Sequence, residues 1–198
     1  MSTTLHQPAG TSTPAAGGPR WLPVVALVVT VVVAGLGAMV WPRTDGAAPP
    51  PASLAAGRVA VGQNAPDFTA ADLTGRQVSL SQFKGKPVWL TFNASWCADC
   101  RVEAPDVQTA YEQHRADGLE VVAVYLSEDS AAVKAFTERL GLTFTHLPDP
   151  TNAVSSGYGV PGVPAHFFID RAGTVRSVQL GVLTPEATQS ALAQIIDG

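Results

Sequence analysis

The segment Pro87–Asn93 (PVWLTFN) is short and almost wholly apolar, and two residues further on it runs into Trp-Cys-Ala-Asp-Cys. A run of that length and character suits a strand buried on both faces of a sheet. From Ala98 to about Ala116 the pattern turns helical, with Val102, Val107, Ala110 and Tyr111 expected inward and Gly118 as the stop. The two cysteines of the chain, Cys97 and Cys100, thus fall where a buried strand passes into a helix. A strand feeding a helix in this way is the opening of a layered α/β domain.

The rest of the C-terminal part continues the alternation. Asp67–Thr69 and Gln77–Leu80 flank Asp-Leu-Thr-Gly and read as a hairpin ending in a turn over Ser81–Lys84. Glu120–Leu126 is a second buried strand, and Asp129 or Ser130 caps a helix that runs to Leu140 and ends at Gly141. Thr143–Leu147 reads as a short strand. His166–Asp170 and Thr174–Leu180 enclose Arg-Ala-Gly as an antiparallel hairpin, and Thr184 caps a last helix with Glu186 in its first turn. The sheet is therefore expected to be mixed, with helices on its faces.

A cysteine at a helix start meets free N–H groups and the positive end of the helix dipole, both of which favour a thiolate. Cys97 is the expected nucleophile. Cys100, one turn later on the same face, is placed to resolve a mixed disulfide formed at Cys97. An inert bridge is the weaker reading, because closing so small a loop removes little entropy from the unfolded chain. With only two cysteines, a many-bridged scaffold and a closed four-cysteine zinc site are excluded. His6, His114, His146 and His166 have no ligand spacing around the pair, so neither a metal nor another cofactor is expected.

Other side chains gather around the pair. Glu103 lies three positions after Cys100 and faces the same way on a helix. A partly desolvated carboxylate there would raise thiol pKa values and accept a proton from Cys100, whereas a solvated one on an exposed turn would do neither. Asp99 places a negative charge in the first turn, which opposes a thiolate on Cys97 and also interacts with the dipole; it is expected to tune the couple away from the strongly oxidising extreme of about −120 mV. Trp96 is expected to form an apolar lip beside Cys97, and Trp89 to lie in the core. Val163-Pro164 sits in a Gly-Val-Pro-Gly-Val-Pro turn just before an apolar strand, a place where a cis X-Pro bond is used; Pro161 is the rival position. A cis bond at Pro164 would leave the Val163 backbone free to pair with an extended substrate.

Ahead of this domain the composition changes. Residues 1–20 are rich in Thr, Ala, Gly and Pro and are expected to be a disordered tail. Trp21–Trp41 holds no ionisable residue and, at about 1.5 Å rise per residue, matches a hydrocarbon core of roughly 30 Å. Tryptophans at both ends, with Arg20 and Arg43 beyond them, mark the boundaries of an uncleaved signal anchor. Residues 42–57 carry a proline run and small residues that suit a spacer, so the folded domain is expected over residues 58–198. That part holds ten Lys and Arg against fifteen Asp and Glu, with no basic stripe, and nucleic-acid binding is not expected.

VGQNAPDFTAADLTGRQVSLSQFKGKPVWLTFNASWCADCRVEAP, then GVPGVPAHFFIDRAG after an insertion, with the apolar segment ahead of both, resembles membrane-anchored thiol-disulfide oxidoreductases of the TlpA/ResA type. The resemblance covers about Val61 to Ile196. It implies a thioredoxin-like α/β fold: a mixed central sheet flanked by helices, an N-terminal β-hairpin extension and a central insertion. By the same resemblance, Pro164 is the cis-proline beside the dithiol, Glu103 the acidic residue that assists proton transfer, and Pro105 a helix kink. Asp99 stands where many relatives have proline, so their redox behaviour does not carry over. The implied setting is a single-pass cell-membrane protein with its catalytic domain on the extracytoplasmic face. Its implied partners are exported protein disulfides, such as those of apocytochrome c, and a membrane thiol reductase that supplies electrons.

Three other functions use parts of the same sequence. A disulfide-forming oxidant would run the Cys97/Cys100 cycle in reverse. A peroxiredoxin shares the opening motif, but its P-x-x-x-[ST]-x-x-C signature has Leu90 and Ala94 in the required positions. A tethered binding module would make the cysteines incidental.

Overall fold

The computed structural model describes residues 59–198. The expected tail, membrane span and spacer all lie outside the described residues. Among those described, no helix is long and apolar enough to cross a membrane.

A small hairpin comes first, β1 (Thr69–Ala71) and β2 (Gln77–Ser79), followed by a 3-10 turn over Leu80–Phe83. Then come β3 (Val88–Asn93), α1 (Ala98–His114), β4 (Glu120–Leu126), α2 (Ser130–Leu140), β5 (Thr145–Asp149), α3 (Ala153–Gly157), β6 (Ala165–Ile169), β7 (Val175–Leu180) and α4 (Pro185–Ile196). The main sheet has the order β5-β4-β3-β6-β7, with β3, β4 and β5 parallel and β6 and β7 antiparallel. The expected mixed sheet is present, and β5, which follows α2, forms one of its edges. Both parallel crossovers step the same way across the sheet, so the right-handed rule places α1 and α2 on one face.

Side-chain alternation along β3 divides the core. Trp89 packs with Phe168, Val121 and Tyr125 against α1, α2 and α4, through Val107, Phe136 and Leu192 among others. Val88, Leu90 and Phe92 point the other way and pack with Val122, Phe167, Tyr158 and the hairpin residue Val78. Burying each of the larger apolar side chains contributes about 1.5–3 kcal/mol.

Sequence expectations shift at several points. Val102, expected inward, is 72% exposed. The turn of α1 that buries Cys100, Glu103, Ala104 and Val107 leaves Val102 about 200° around the helix from Ala104, facing solvent. Asp67 does not join β1: its side chain accepts the Phe68 and Ser81 amides, which makes it part of the turn architecture. The strand expected from Thr143 begins at Thr145, because Gln108 Oε1 takes the Thr143 amide at 2.9 Å. The one-turn α3 has no counterpart in the sequence reading.

Candidate active site

β3 ends at Asn93, and the chain turns through Ala94–Trp96 before Cys97 becomes the N-cap of α1, with φ −75° and ψ 122°. Its sulfur accepts the Cys100 amide at 3.1 Å, so the residue that starts the helix is also the residue whose sulfur faces the helix N–H groups. Cys97 and Cys100 are joined in a disulfide, with their Cα atoms 5.3 Å apart. Cys97 is 8% exposed and Cys100 only 2%. An incoming sulfur therefore reaches Cys97 first.

The loop carrying Cys97 is held from two sides. Glu128, two residues beyond β4, accepts the Ser95 amide at 2.7 Å and the Ser95 hydroxyl. Arg101 donates to the Ser95 and Trp96 carbonyls at 3.2 and 3.4 Å. Trp96 itself is 63% exposed and stands at the rim of the site.

The turn before β6 faces the dithiol. The Val163–Pro164 peptide is cis, and Pro164 is buried while Pro161 is exposed. The Val163 carbonyl oxygen lies 3.8 Å from Cys97 Sγ, and Val163 packs against Ala94, Cys97 and Cys100. The structure thus brings Cys97, Cys100, Val163 and Pro164 together as expected.

Glu103 is only 3% exposed and sits behind Cys100. Its Oε1 accepts the Leu183 amide at 2.8 Å, and its Oε2 lies 3.3 Å from His166 Nε2. Burial pushes its carboxyl up to about 7; the Leu183 amide opposes that rise, and the charges of Asp106 and Asp99 add to it. A cavity of about 10 Å³ lies beside Cys100 and Glu103, bounded also by Thr91 and Asn93, close to the smallest volume that one water molecule occupies. Asp99 is exposed in the first turn of α1 and acts on this group only through its charge.

Among the described residues no group of three or more His, Cys, Asp and Glu is placed to hold a metal ion. The sequence reading did not single out Glu128, Thr91 or the Leu183 amide, and it treated His166 only as a strand residue without metal-ligand spacing. A signal for two of them existed: Thr91 and His166 are polar residues inside otherwise apolar strands.

The AhpC/TSA family matches residues 61–178. Over 137 residues the chain is 39% identical to the thiol-disulfide oxidoreductase ResA of Geobacillus thermodenitrificans, covering 69% of this chain and 79% of that protein. Its fold is similar to that of a Chlorobium tepidum protein assigned as a thiol:disulfide interchange protein, DsbE: 34% identical, TM-score 0.62, covering 68% of this chain and 99% of that one. It is also similar to a secreted thiol-disulfide isomerase from Corynebacterium glutamicum, 26% identical with a TM-score of 0.61, covering 67% of this chain and 85% of that one.

Proposed function

The chain belongs to the AhpC/TSA family, and from that premise we propose that it reduces disulfides in exported proteins, apocytochrome c among the candidates, on the extracytoplasmic side of a membrane to which residues 21–41 anchor it. It is a thioredoxin-like thiol-disulfide oxidoreductase of the ResA type. The observation that carries the reading is the asymmetry of the pair: Cys97 is accessible at the helix N-cap, and Cys100 is buried behind it beside Glu103.

Reduced Cys97 attacks a substrate disulfide as the thiolate, releasing one substrate thiol. An extended substrate segment lies along the backbone of Val163, against Pro164, with the rim at Trp96. Cys100 then gives its proton to the Glu103 carboxylate and attacks Cys97. The Cys97–Cys100 bond forms as the bond to substrate breaks, and the second substrate sulfur leaves with the electron pair. A membrane thiol reductase returns two electrons to the pair.

Two features support reduction over oxidation. A strong oxidant stabilises its thiolate, whereas the carboxylates of Glu103 and Asp99 beside this dithiol oppose a negative sulfur. The outward setting is supported by the uncharged Trp21–Trp41 segment and by the secreted description of the Corynebacterium protein.

The full-length chain, reduced and in membranes, is expected to reduce insulin, and Cys97→Ser to abolish turnover. Cys100→Ser is expected to accumulate mixed disulfides with the physiological substrates. Retained insulin reduction by Cys97→Ser would reject the dithiol mechanism, and a couple titrating near about −120 mV would assign the chain as an oxidant.

A further inference from the structure

Glu103 Oε2 is buried without a hydrogen bond, and His166 Nε2 stands beside it. Oε1 is taken by the Leu183 amide, while Oε2 is buried 3.3 Å from Nε2 of the fully buried His166; the two atoms are within reach of each other but not aligned as a hydrogen bond, and neither has a hydrogen-bond partner. The far side of the imidazole is fixed by donors. Trp89 Nε1, which can only donate, lies 3.3 Å from Nδ1. The Thr91 hydroxyl, itself receiving Asn93 Nδ2 at 3.1 Å, lies 3.0 Å from the same nitrogen. Nδ1 therefore accepts, and the single proton of the neutral ring sits on Nε2, toward Glu103. The arrangement is built into the sheet, since Thr91 of β3 pairs in register with His166 of β6.

We propose that His166 is a positioning residue for Glu103: its Nε2–H holds Oε2 of the ionised carboxylate, opposite the Leu183 amide on Oε1, and so keeps Glu103 ready to take the Cys100 proton. The inference rests on the role proposed above for Glu103. Burial pushes His166 down to about 4, against the opposing Gly181 backbone, so the ring serves as a neutral donor. The titratable groups facing the pair are Asp99, Asp106 and the two cysteines, from α1 and the loop before it. β3 presents the uncharged Trp89 and Thr91, and the side of α4 presents the Leu183 amide, Thr188 and Gln189. Without the His166 donor, the carboxylate keeps its burial and its two acidic neighbours and is left with the Leu183 amide as its one N–H partner.

In the step concerned, the Cys100 S–H bond breaks and its proton passes to Glu103. The sulfur forms the bond to Cys97 with its own electron pair, and the substrate sulfur leaves Cys97 as a thiolate. A rate that depends on ionised Glu103 falls toward acid pH, and the midpoint of that acid limb reports the Glu103 carboxyl.

The test is single-turnover reduction of oxidised glutathione by the reduced full-length chain, from about pH 5 to about pH 9. Loss of the mixed disulfide at Cys97 is followed by quenched thiol labelling. His166→Leu is expected to raise the midpoint by about one pH unit, a roughly tenfold loss on the acid side with recovery at high pH. His166→Gln, which retains an N–H donor, is expected to leave it near its original place. Glu103→Gln removes the limb, and adding His166→Leu to it changes nothing further. A midpoint unmoved by His166→Leu while Glu103→Gln removes the limb overturns the role of His166 and leaves that of Glu103 standing. A limb that survives Glu103→Gln overturns both. Imidazole 15N shifts of the unmutated protein give a check that needs no variant: an Nε2–H tautomer is expected, and an Nδ1–H tautomer overturns the proposal.

Discussion

Glu128 shows how a single buried side chain shapes the loop on which this chemistry depends. Both of its carboxylate oxygens are used by Ser95, one by the amide and one by the hydroxyl, two residues before Cys97. Removing the carboxylate strands the Ser95 amide and hydroxyl, each only partly exposed, and leaving one such group without a partner costs about 1–3 kcal/mol. Glu128→Ala is therefore expected to lower unfolding stability by about 2 kcal/mol in urea denaturation and to slow attack by Cys97, whose approach angle the loop sets. Glu128→Gln keeps one acceptor and is expected to lose less than half as much. Equal losses in the two variants would show that the volume of the side chain, not its hydrogen bonds, holds the loop. Nothing in the local sequence marks Glu128 for this task. The contact spans 33 positions and exists only because β4 lies beside β3.

Elements carry a different share of what the sequence reveals. α2 was readable because both of its ends are chemical: the Asp129 side chain accepts the Ala132 amide at 2.9 Å, and Gly141 closes the helix in the left-handed region at φ 66°. A Cβ added at Gly141 would meet nothing within 4 Å, so the cost of Gly141→Ala is backbone strain alone, about 1–2 kcal/mol. Urea unfolding is expected to show that loss with thiol turnover unchanged, and a neutral substitution would mean that the helix end relaxes out of the left-handed region. β3 and the start of α1 were readable for a similar reason, an apolar run followed by an N-cap. What stayed hidden depends on packing direction or pairing. Val102 satisfies a helical apolar pattern yet faces solvent, because Glu103 takes the inward position that the pattern would give to an apolar residue. α3 has five residues, too few for any periodicity to show. Within the site, Cys97, Cys100, Glu103 and Pro164 follow from local spacing and resemblance. The His166 contact with Glu103 needs the register of β3 and β6 and the passage of α1 across them.

At the scale of the whole molecule, the buried titratable groups set opposing slopes in the dependence of stability on pH. Burial pushes the Glu103 carboxyl from its ordinary 4.5 up to about 7, so in that interval the folded chain holds a proton that the unfolded chain has released, and raising the pH destabilises the fold. Burial pushes His146 and His166 from 6.5 down to about 4. There the unfolded chain binds the protons, and stability is gained as pH rises from about 4 to about 6.5. Two rising contributions outweigh one falling one up to about pH 7, where the protons still held by the unfolded histidines balance the one held by folded Glu103. Asp72 adds an acid edge: its hydrogen bonds from Thr74 and Arg76 bring it down to about 2, so its stabilisation is present above 3.8 and is lost as pH falls below that. Urea unfolding of the oxidised protein across this range is expected to show stability rising to a plateau at about pH 7. Between about pH 4.5 and 6.5 the net of two rising and one falling contribution is that of a single group, a slope approaching about 1.4 kcal/mol per pH unit. Glu103→Gln is expected to steepen that rise about twofold, because the opposing carboxyl is gone. A slope unchanged in Glu103→Gln would show that this carboxyl is not the group that ties stability to pH beside the dithiol.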